Sequence, residues 1–203
     1  MTRPLLLFAP GAGAASTSPW MERWARRLAK LGRVVRFDYP YRREGRKVPD
    51  RLPKLIAAHR EALVANRGRR PVVLVGKSMG SRVGCHLTLE EDGISGLVCL
   101  GYPLVGQSGA VRDAVLVDLR TPVLFVQGTR DRLCPLEVLA EVRARMTSKS
   151  TLHVVDGGDH SLELTKRALA GRSQDDVDAA AFHAIAAFVA QVSGAARFPA
   201  IRP

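Results

Sequence analysis

The residues best suited to chemistry are Gly76-Lys77-Ser78-Met79-Gly80, which follow the apolar run Pro71-Val72-Val73-Leu74-Val75. A serine hydroxyl attacks a carbonyl carbon only when it projects away from its own backbone into open space. A sharp strand-to-helix turn achieves this at the cost of crowding, and glycines two residues to either side remove the side chains that would collide. A helix-compatible segment from Ser81 to about Glu91 follows. The amide of Met79 is therefore predicted to face the oxyanion that develops on the attacked carbonyl. The letters Gly76-Lys77-Ser78 also end like a phosphate-binding loop. That motif requires a glycine where Pro71 stands, and Val72 to Val75 suit a buried strand and not a phosphate cradle.

A nucleophile of this kind needs a base and an acid, and both must come from elsewhere in the chain. Residues 4–9, 33–38, 71–75, 96–101, 122–127 and 151–155 read as strands, most of them continuous apolar runs. Helical segments lie between them: 19 to about 31 with Ser18 as its cap, 54–66, 81–91, 111–119, 136–146 and a closing helix over 175–192. Apolar strands alternating with helices specify an α/β fold: a mostly parallel sheet of about six strands with helices on both faces. Reactive groups in such sheets gather at the carboxyl ends of the strands. Past the fifth strand comes Gly128-Thr129-Arg130-Asp131, and past the sixth comes Gly157-Gly158-Asp159-His160. The order Ser78, Asp131, His160 assigns the nucleophile, the orienting acid and the general base. Asp159 competes for the acid position, but it adjoins His160 in sequence, so its side chain is expected to point away. The other histidines are weaker candidates, because His59, His86 and His183 fall in helices and His153 in a strand.

A second oxyanion donor is expected from the loop after the first strand, Pro10-Gly11-Ala12-Gly13-Ala14. Ala12 is the favoured residue, with Gly11 and Gly13 as neighbours that let a backbone amide approach the substrate. A dinucleotide-binding reading of this loop fails at its third glycine, where Ser16 stands.

These segments resemble a small, lidless α/β-hydrolase of the dienelactone-hydrolase-like group, and within it the testis-expressed hydrolase-like family. The resemblance rests on Phe8-Ala9-Pro10-Gly11-Ala12-Gly13, Phe37-Asp38-Tyr39-Pro40-Tyr41, Gly76-Lys77-Ser78-Met79-Gly80-Ser81-Arg82, Gly128-Thr129-Arg130-Asp131 and Gly158-Asp159-His160-Ser161. It spans residues 4 to about 165. It implies the α/β-hydrolase fold without the first two strands of the full superfamily sheet and without a cap domain. It also implies a Ser-Asp-His triad that acts with no metal and no organic cofactor.

The chain has 203 residues, with 31 Lys and Arg against 19 Asp and Glu, a net charge of +12. That length and patterning predict a single domain over 1–193 and a loose tail over 194–203. The loop 39–53 places Tyr39 and Tyr41 near the reactive edge, followed by Arg42, Arg43, Arg46, Lys47 and Arg51. Tyr39, Tyr41 and Arg42 are thus candidate substrate contacts, and the loop could form a basic rim that favours an anionic acyl substrate or an acidic partner, although a plain solvated loop is the simpler reading of such a charge run. No nucleic-acid motif accompanies the charge, so no nucleic-acid partner is expected. No apolar run is long enough to span a bilayer. Cys85, Cys99 and Cys134 are odd in number and widely spaced, which suits neither a disulfide framework nor a zinc site and points to a reducing, cytoplasmic setting. The function expected is hydrolysis of a small ester or thioester through an acyl-enzyme. A hydrolase-fold interaction protein with little turnover is the alternative.

Overall fold

Six parallel strands form one sheet in the computed structural model, which describes residues 3–106 and 108–194. They are β1 (Leu5–Ala9), β2 (Arg33–Arg36), β3 (Val72–Lys77), β4 (Gly96–Leu100), β5 (Val123–Gly128) and β6 (Ser150–Val155), in the spatial order β2-β1-β3-β4-β5-β6. The apolar runs read as strands because both faces of the sheet are covered. Leu5, Leu7, Leu74, Cys99 and Phe125 point into one core, while Leu6, Phe8, Val73, Val75, Leu124 and Val126 point into another. Alternate residues of a strand face opposite ways, so covering both faces demands an apolar residue at every position.

The first core is closed by α3 (Leu52–Asn66), α4 (Met79–Leu87), α5 (Ala114–Val117) and α6 (Leu136–Arg145). The second is closed by α1 (Pro19–Leu28) and α8 (Gln174–Val192). On α1, Trp24 and Leu28 are fully buried, and Leu31 just beyond the helix is nearly so. Trp20 packs against the same core from its edge. Ser18 holds the N-cap position expected of it and Pro19 the first helical turn, but the Ser18 hydroxyl accepts no capping hydrogen bond. The cap of α8 is complete. The Ser173 hydroxyl accepts from the Asp176 amide, and the Asp176 carboxylate accepts from the Ser173 amide.

Two short helices, α2 (Pro40–Arg43) and α7 (Lys166–Leu169), lie where the sequence reads as loop. Each is one turn long, too short for a periodic signal. The turn of α7 is held locally by the Thr165 hydroxyl accepting from the Ala168 amide. The second strand ends at Arg36, two residues short of expectation, and α4 ends at Leu87, four short of Glu91. Of the tail, residues 195–203 lie outside the described residues. Among the described residues no helix is long and apolar enough to cross a membrane, and no cap domain covers the sheet edge.

The strand order has one consequence for the site. From β1 the chain moves outward to β2, then crosses back to pair β3 with the other side of β1. The connections leaving β1 and β3 therefore diverge to opposite faces, and a crevice opens between them at the carboxyl ends of the strands.

Candidate active site

Ser78 sits between the end of β3 and the start of α4 with φ 50° and ψ −115°, a conformation that a residue with a β-carbon enters only under constraint. The constraints are visible. The Ser78 amide donates to the Leu100 carbonyl (3.1 Å), and the Ser78 carbonyl accepts from the Ser81 (2.9 Å) and Arg82 (3.2 Å) amides. The Ser81 hydroxyl donates to the Gly76 carbonyl. A β-carbon on Gly76 would overlap the backbone of Gly80 and Ser81, and one on Gly80 would stand 2.5 Å from the Ala9 carbonyl oxygen. The two glycines thus allow the helix to fold back onto the strand ends, which is what lifts the serine hydroxyl out of the backbone.

The structure brings Ser78, His160 and Asp131 into one hydrogen-bonded chain. His160 Nε2 lies 2.8 Å from Ser78 Oγ, and His160 Nδ1 lies 2.7 Å from Asp131 Oδ2. Asp131 is 3% exposed. Burial works against its charge. The hydrogen bond and charge of His160, the Leu133 amide on Oδ1 (2.9 Å) and the Gln127 side-chain amide on Oδ2 together outweigh it and hold the carboxyl below its ordinary value. With Asp131 ionised, His160 Nδ1 carries the proton and donates it to Oδ2. His160 Nε2 is then left to accept from the Ser78 hydroxyl.

Asp159 takes no part in this chain. Its Oδ1 accepts from the Ser161 (2.7 Å) and Glu163 (3.0 Å) amides, so it shapes the turn that presents His160. Of the other histidines, His59 is fully buried beside Tyr39, and desolvation pushes it down to about 3, leaving it neutral. His86, His153 and His183 lie in α4, β6 and α8, and none of them lines the cleft beside Ser78.

The loop after β1 packs directly on the serine. A β-carbon on Gly11 would lie 3.5 Å from Ser78 Cβ, whereas the space around Gly13 is open. Ala12 and Met79 line the same cleft as Ser78, a hollow of about 340 Å³ with apolar walls that include Leu52, Leu55 and Leu133. Neither the Ala12 amide nor the Met79 amide has a hydrogen-bond acceptor among the described residues. Two unpaired backbone donors beside a poised hydroxyl are what a developing oxyanion requires.

Tyr39 and Tyr41 are fully buried, and neither is among the residues that line the cleft. The Tyr41 hydroxyl donates to the Ala12 carbonyl (2.9 Å), and Asp38 accepts from the Ser16 amide (2.7 Å) and hydroxyl (3.0 Å). The segment Phe37–Tyr41 therefore braces the loop that carries Ala12. Arg42 is half-buried and lies outside the cleft lining. Part of the charge of the neighbouring loop is paired within it. Arg46 pairs with Asp50 (2.8 Å) and Glu44, and Lys54 with Asp50 (3.3 Å).

Two supporting residues escaped sequence reasoning. Gln127 is fully buried at the end of β5, where it accepts from the Tyr102 amide (3.0 Å) and donates to Asp131. Its signal was a lone polar side chain closing an apolar strand. Lys77 is the other. It is only 9% exposed, donates to the His160 carbonyl and lies over the Trp20 ring at 5.3 Å, while Trp20 Nε1 donates to the next carbonyl, Ser161, at 2.9 Å. Lys77, with Trp20 stacked beneath its ammonium, tethers the histidine turn to the end of the nucleophile strand.

Desolvation pushes the Lys77 ammonium down to about 8, with Asp131, Asp159 and Glu163 pulling the other way. Linkage turns this into a pH effect. The unfolded chain holds the Lys77 proton up to about pH 10.5 and the folded chain releases it near 8. Between those values the unfolded state binds more protons, so stability rises with pH, by up to about 3 kcal/mol from this residue. Denaturant unfolding at a series of pH values through that window should show the rise in the native protein and lose it in Lys77→Met. Identical pH slopes for the two proteins would mean that the buried ammonium does not limit stability.

Comparison with known proteins agrees with this architecture. Three solved structures are similar over most of their length. Est1E from Butyrivibrio proteoclasticus shares 17% identity over 91% of this chain and 89% of its own, with a TM-score of 0.63. An alpha-beta serine hydrolase homologue from Coxiella burnetii shares 17% over 87% and 82% (TM-score 0.66). The esterase domain of a Rhodothermus marinus protein shares 16% over 94% and 88% (TM-score 0.66). At such identities the likeness speaks for the fold. The sequence profile described as Alpha/beta hydrolase domain matches residues 2–190, nearly the whole chain, and the protein belongs to that family.

Proposed function

We propose that the protein is a serine hydrolase that cleaves a small carboxylic ester or thioester through an acyl-enzyme. The observation that carries this reading is the continuous chain from Ser78 Oγ to His160 Nε2 (2.8 Å) and from His160 Nδ1 to Asp131 Oδ2 (2.7 Å) at the mouth of an open cleft. Family membership alone would not carry it, since one fold serves many functions.

In the first half-reaction Ser78 Oγ bonds to the substrate carbonyl carbon as its proton passes to His160 Nε2. The carbonyl electrons move onto oxygen, facing the Met79 and Ala12 amides. The tetrahedral adduct then collapses, the bond to the alcohol or thiol breaks, and His160 returns the proton to that leaving group. In the second half-reaction water attacks the acyl carbon, His160 takes its proton, and the acid departs as Ser78 Oγ is reprotonated. Asp131 stays ionised throughout and stabilises the imidazolium formed in each half.

The segments Gly76–Arg82 and Phe37–Tyr41 support placing the protein among the small, lidless, dienelactone-hydrolase-like enzymes. Its three free, buried cysteines accord with a reducing cytoplasm. The test is labelling with a fluorophosphonate probe. Wild type should label rapidly at one site, and Ser78→Ala and His160→Ala should not. A folded wild type that fails to label would overturn the reading in favour of an interaction protein built on a hydrolase fold.

A further inference from the structure

The cleft beside Ser78 carries two cations that the reaction does not use. Arg82 follows Ser78 by one helical turn on the same face of α4, and its amide bonds to the Ser78 carbonyl (3.2 Å). Its side chain lines the cleft, and its Nε is a buried donor with no acceptor. Arg112 lines the same cleft. Among the described residues neither guanidinium makes an ion pair or a side-chain hydrogen bond. In the 42–54 loop Arg46 and Lys54 are held by Asp50 and Glu44, and none of that loop's cations lines the cleft. Asp50 itself lines the cleft, but its charge is already answered by Arg46, Lys54 and the Tyr41 amide.

Arg112 is held in place by its backbone. Its amide donates to the Leu104 carbonyl (2.8 Å), and the Gly106 amide donates to the Ala110 carbonyl (2.9 Å), which closes a small loop around a bridge between Val105 and Val111. The guanidinium lies across Gly106, where a β-carbon would stand 2.8 Å from its Nε. Desolvation, with the repulsion of Arg112 adding to it, depresses the affinity of Arg82 for its proton. Arg82 is half-buried and Arg112 exposed at the mouth of the cleft, so an anion entering it would meet one partly desolvated and one solvated guanidinium.

We propose that Arg82 and Arg112 form an anion subsite, and that the preferred substrate carries a carboxylate a few atoms from its scissile carbonyl. The proposal rests on the hydrolase reading and names the substrate class of that site. A carboxylate matches a guanidinium fork in geometry and takes two parallel hydrogen bonds. Such bonds, charge-assisted and partly desolvated, correspond to about ten-fold or more in affinity.

The test compares mono-4-nitrophenyl glutarate, with the carboxylate on the acyl side, 4-acetoxybenzoate, with it on the leaving group, and the neutral 4-nitrophenyl valerate. Expected is a kcat/KM at least about ten-fold higher for one of the two anionic esters, after correction for leaving-group reactivity. Which ester is preferred fixes the side of the scissile bond that faces the arginines. The preference ratio should fall towards one at high salt, in Arg112→Gln, and in Gly106→Ala, which keeps both charges but displaces the Arg112 guanidinium. Calorimetry on the Ser78→Ala protein separates this proposal from failure of the hydrolase reading, because it reads binding without turnover. There the glutarate ester should bind more tightly than the valerate ester, and adding Arg112→Gln should remove the difference. Equal handling of anionic and neutral esters, or a preference that survives Arg112→Gln, overturns the subsite.

Discussion

On the proposed reading, ester turnover should fall on the order of 10⁴–10⁶-fold in Ser78→Ala and in His160→Ala, and about 10⁴-fold in Asp131→Asn. The first two variants remove the attacking oxygen and the group that takes its proton. The third changes no atom's position, and its effect follows from the donors around the carboxylate. The Leu133 amide donates to Oδ1 and the Gln127 amide to Oδ2. Either orientation of an asparagine amide sets its NH2 group against one of these donors; with the carbonyl towards Leu133, the NH2 group takes the Oδ2 place and the Gln127 hydrogen bond is lost. That group then faces His160 Nδ1, forcing the proton onto Nε2. An imidazole protonated at Nε2 cannot accept from the Ser78 hydroxyl, which lies 2.8 Å away. Steady-state kinetics on an activated ester, with circular dichroism to verify folding, check all three. An Asp131→Asn enzyme that keeps more than about a tenth of wild-type turnover would show that the tautomer is not set by this residue.

Gly76→Ala is the second large effect, and it falls on folding. Its methyl group would overlap the Ser81 amide nitrogen and the Gly80 carbonyl carbon. Both are backbone atoms at the start of α4, so no rotamer change relieves the clash. Either α4 moves away from β3, or β3 shifts in its register between β1 and β4, where Gly76 faces Ala9 on one side and Cys99 on the other. Both routes open the core, at a cost on the order of 4 kcal/mol, a large part of the roughly 5–15 kcal/mol by which domains are stable. The melting temperature should fall by about 10 °C or more, with loss of fluorophosphonate labelling in whatever protein remains folded. A variant that melts with wild type would mean that the turn has slack which the packing around Ser78 does not suggest.

Much of this arrangement was legible in the chain alone. Covered sheets need apolar residues on both faces, so each of the six strands announced itself as a short apolar or β-branched run. Because parallel strands all end at one edge, the loops after them could be searched for a base and an acid, and Asp131 and His160 stood at the expected places. Local backbone crowding was legible too, since Gly76 and Gly80 around a serine leave few alternatives to a sharp turn.

The tertiary structure alone decided which neighbours support these groups. Tyr102 reaches Gln127, and through it Asp131, by the pairing of β4 with β5, and Lys77 reaches His160 across 83 residues of chain. Tyr39 and Tyr41 looked like substrate contacts because they follow a strand end, yet the one-turn helix α2 rotates both into the core. There Tyr41 braces Ala12 instead of lining the cleft. The basic loop likewise looked like the source of positive charge at the site, but none of its cations lines the cleft; among the described residues the unpaired cations that do are Arg82 and Arg112, 30 residues apart. Sequence carries the periodicities that bury a strand or turn a helix, because those depend on neighbours within a few residues. The partner of a buried side chain depends on how separate elements pack, and that is settled only when the sheet and its helices close around the crevice between β1 and β3.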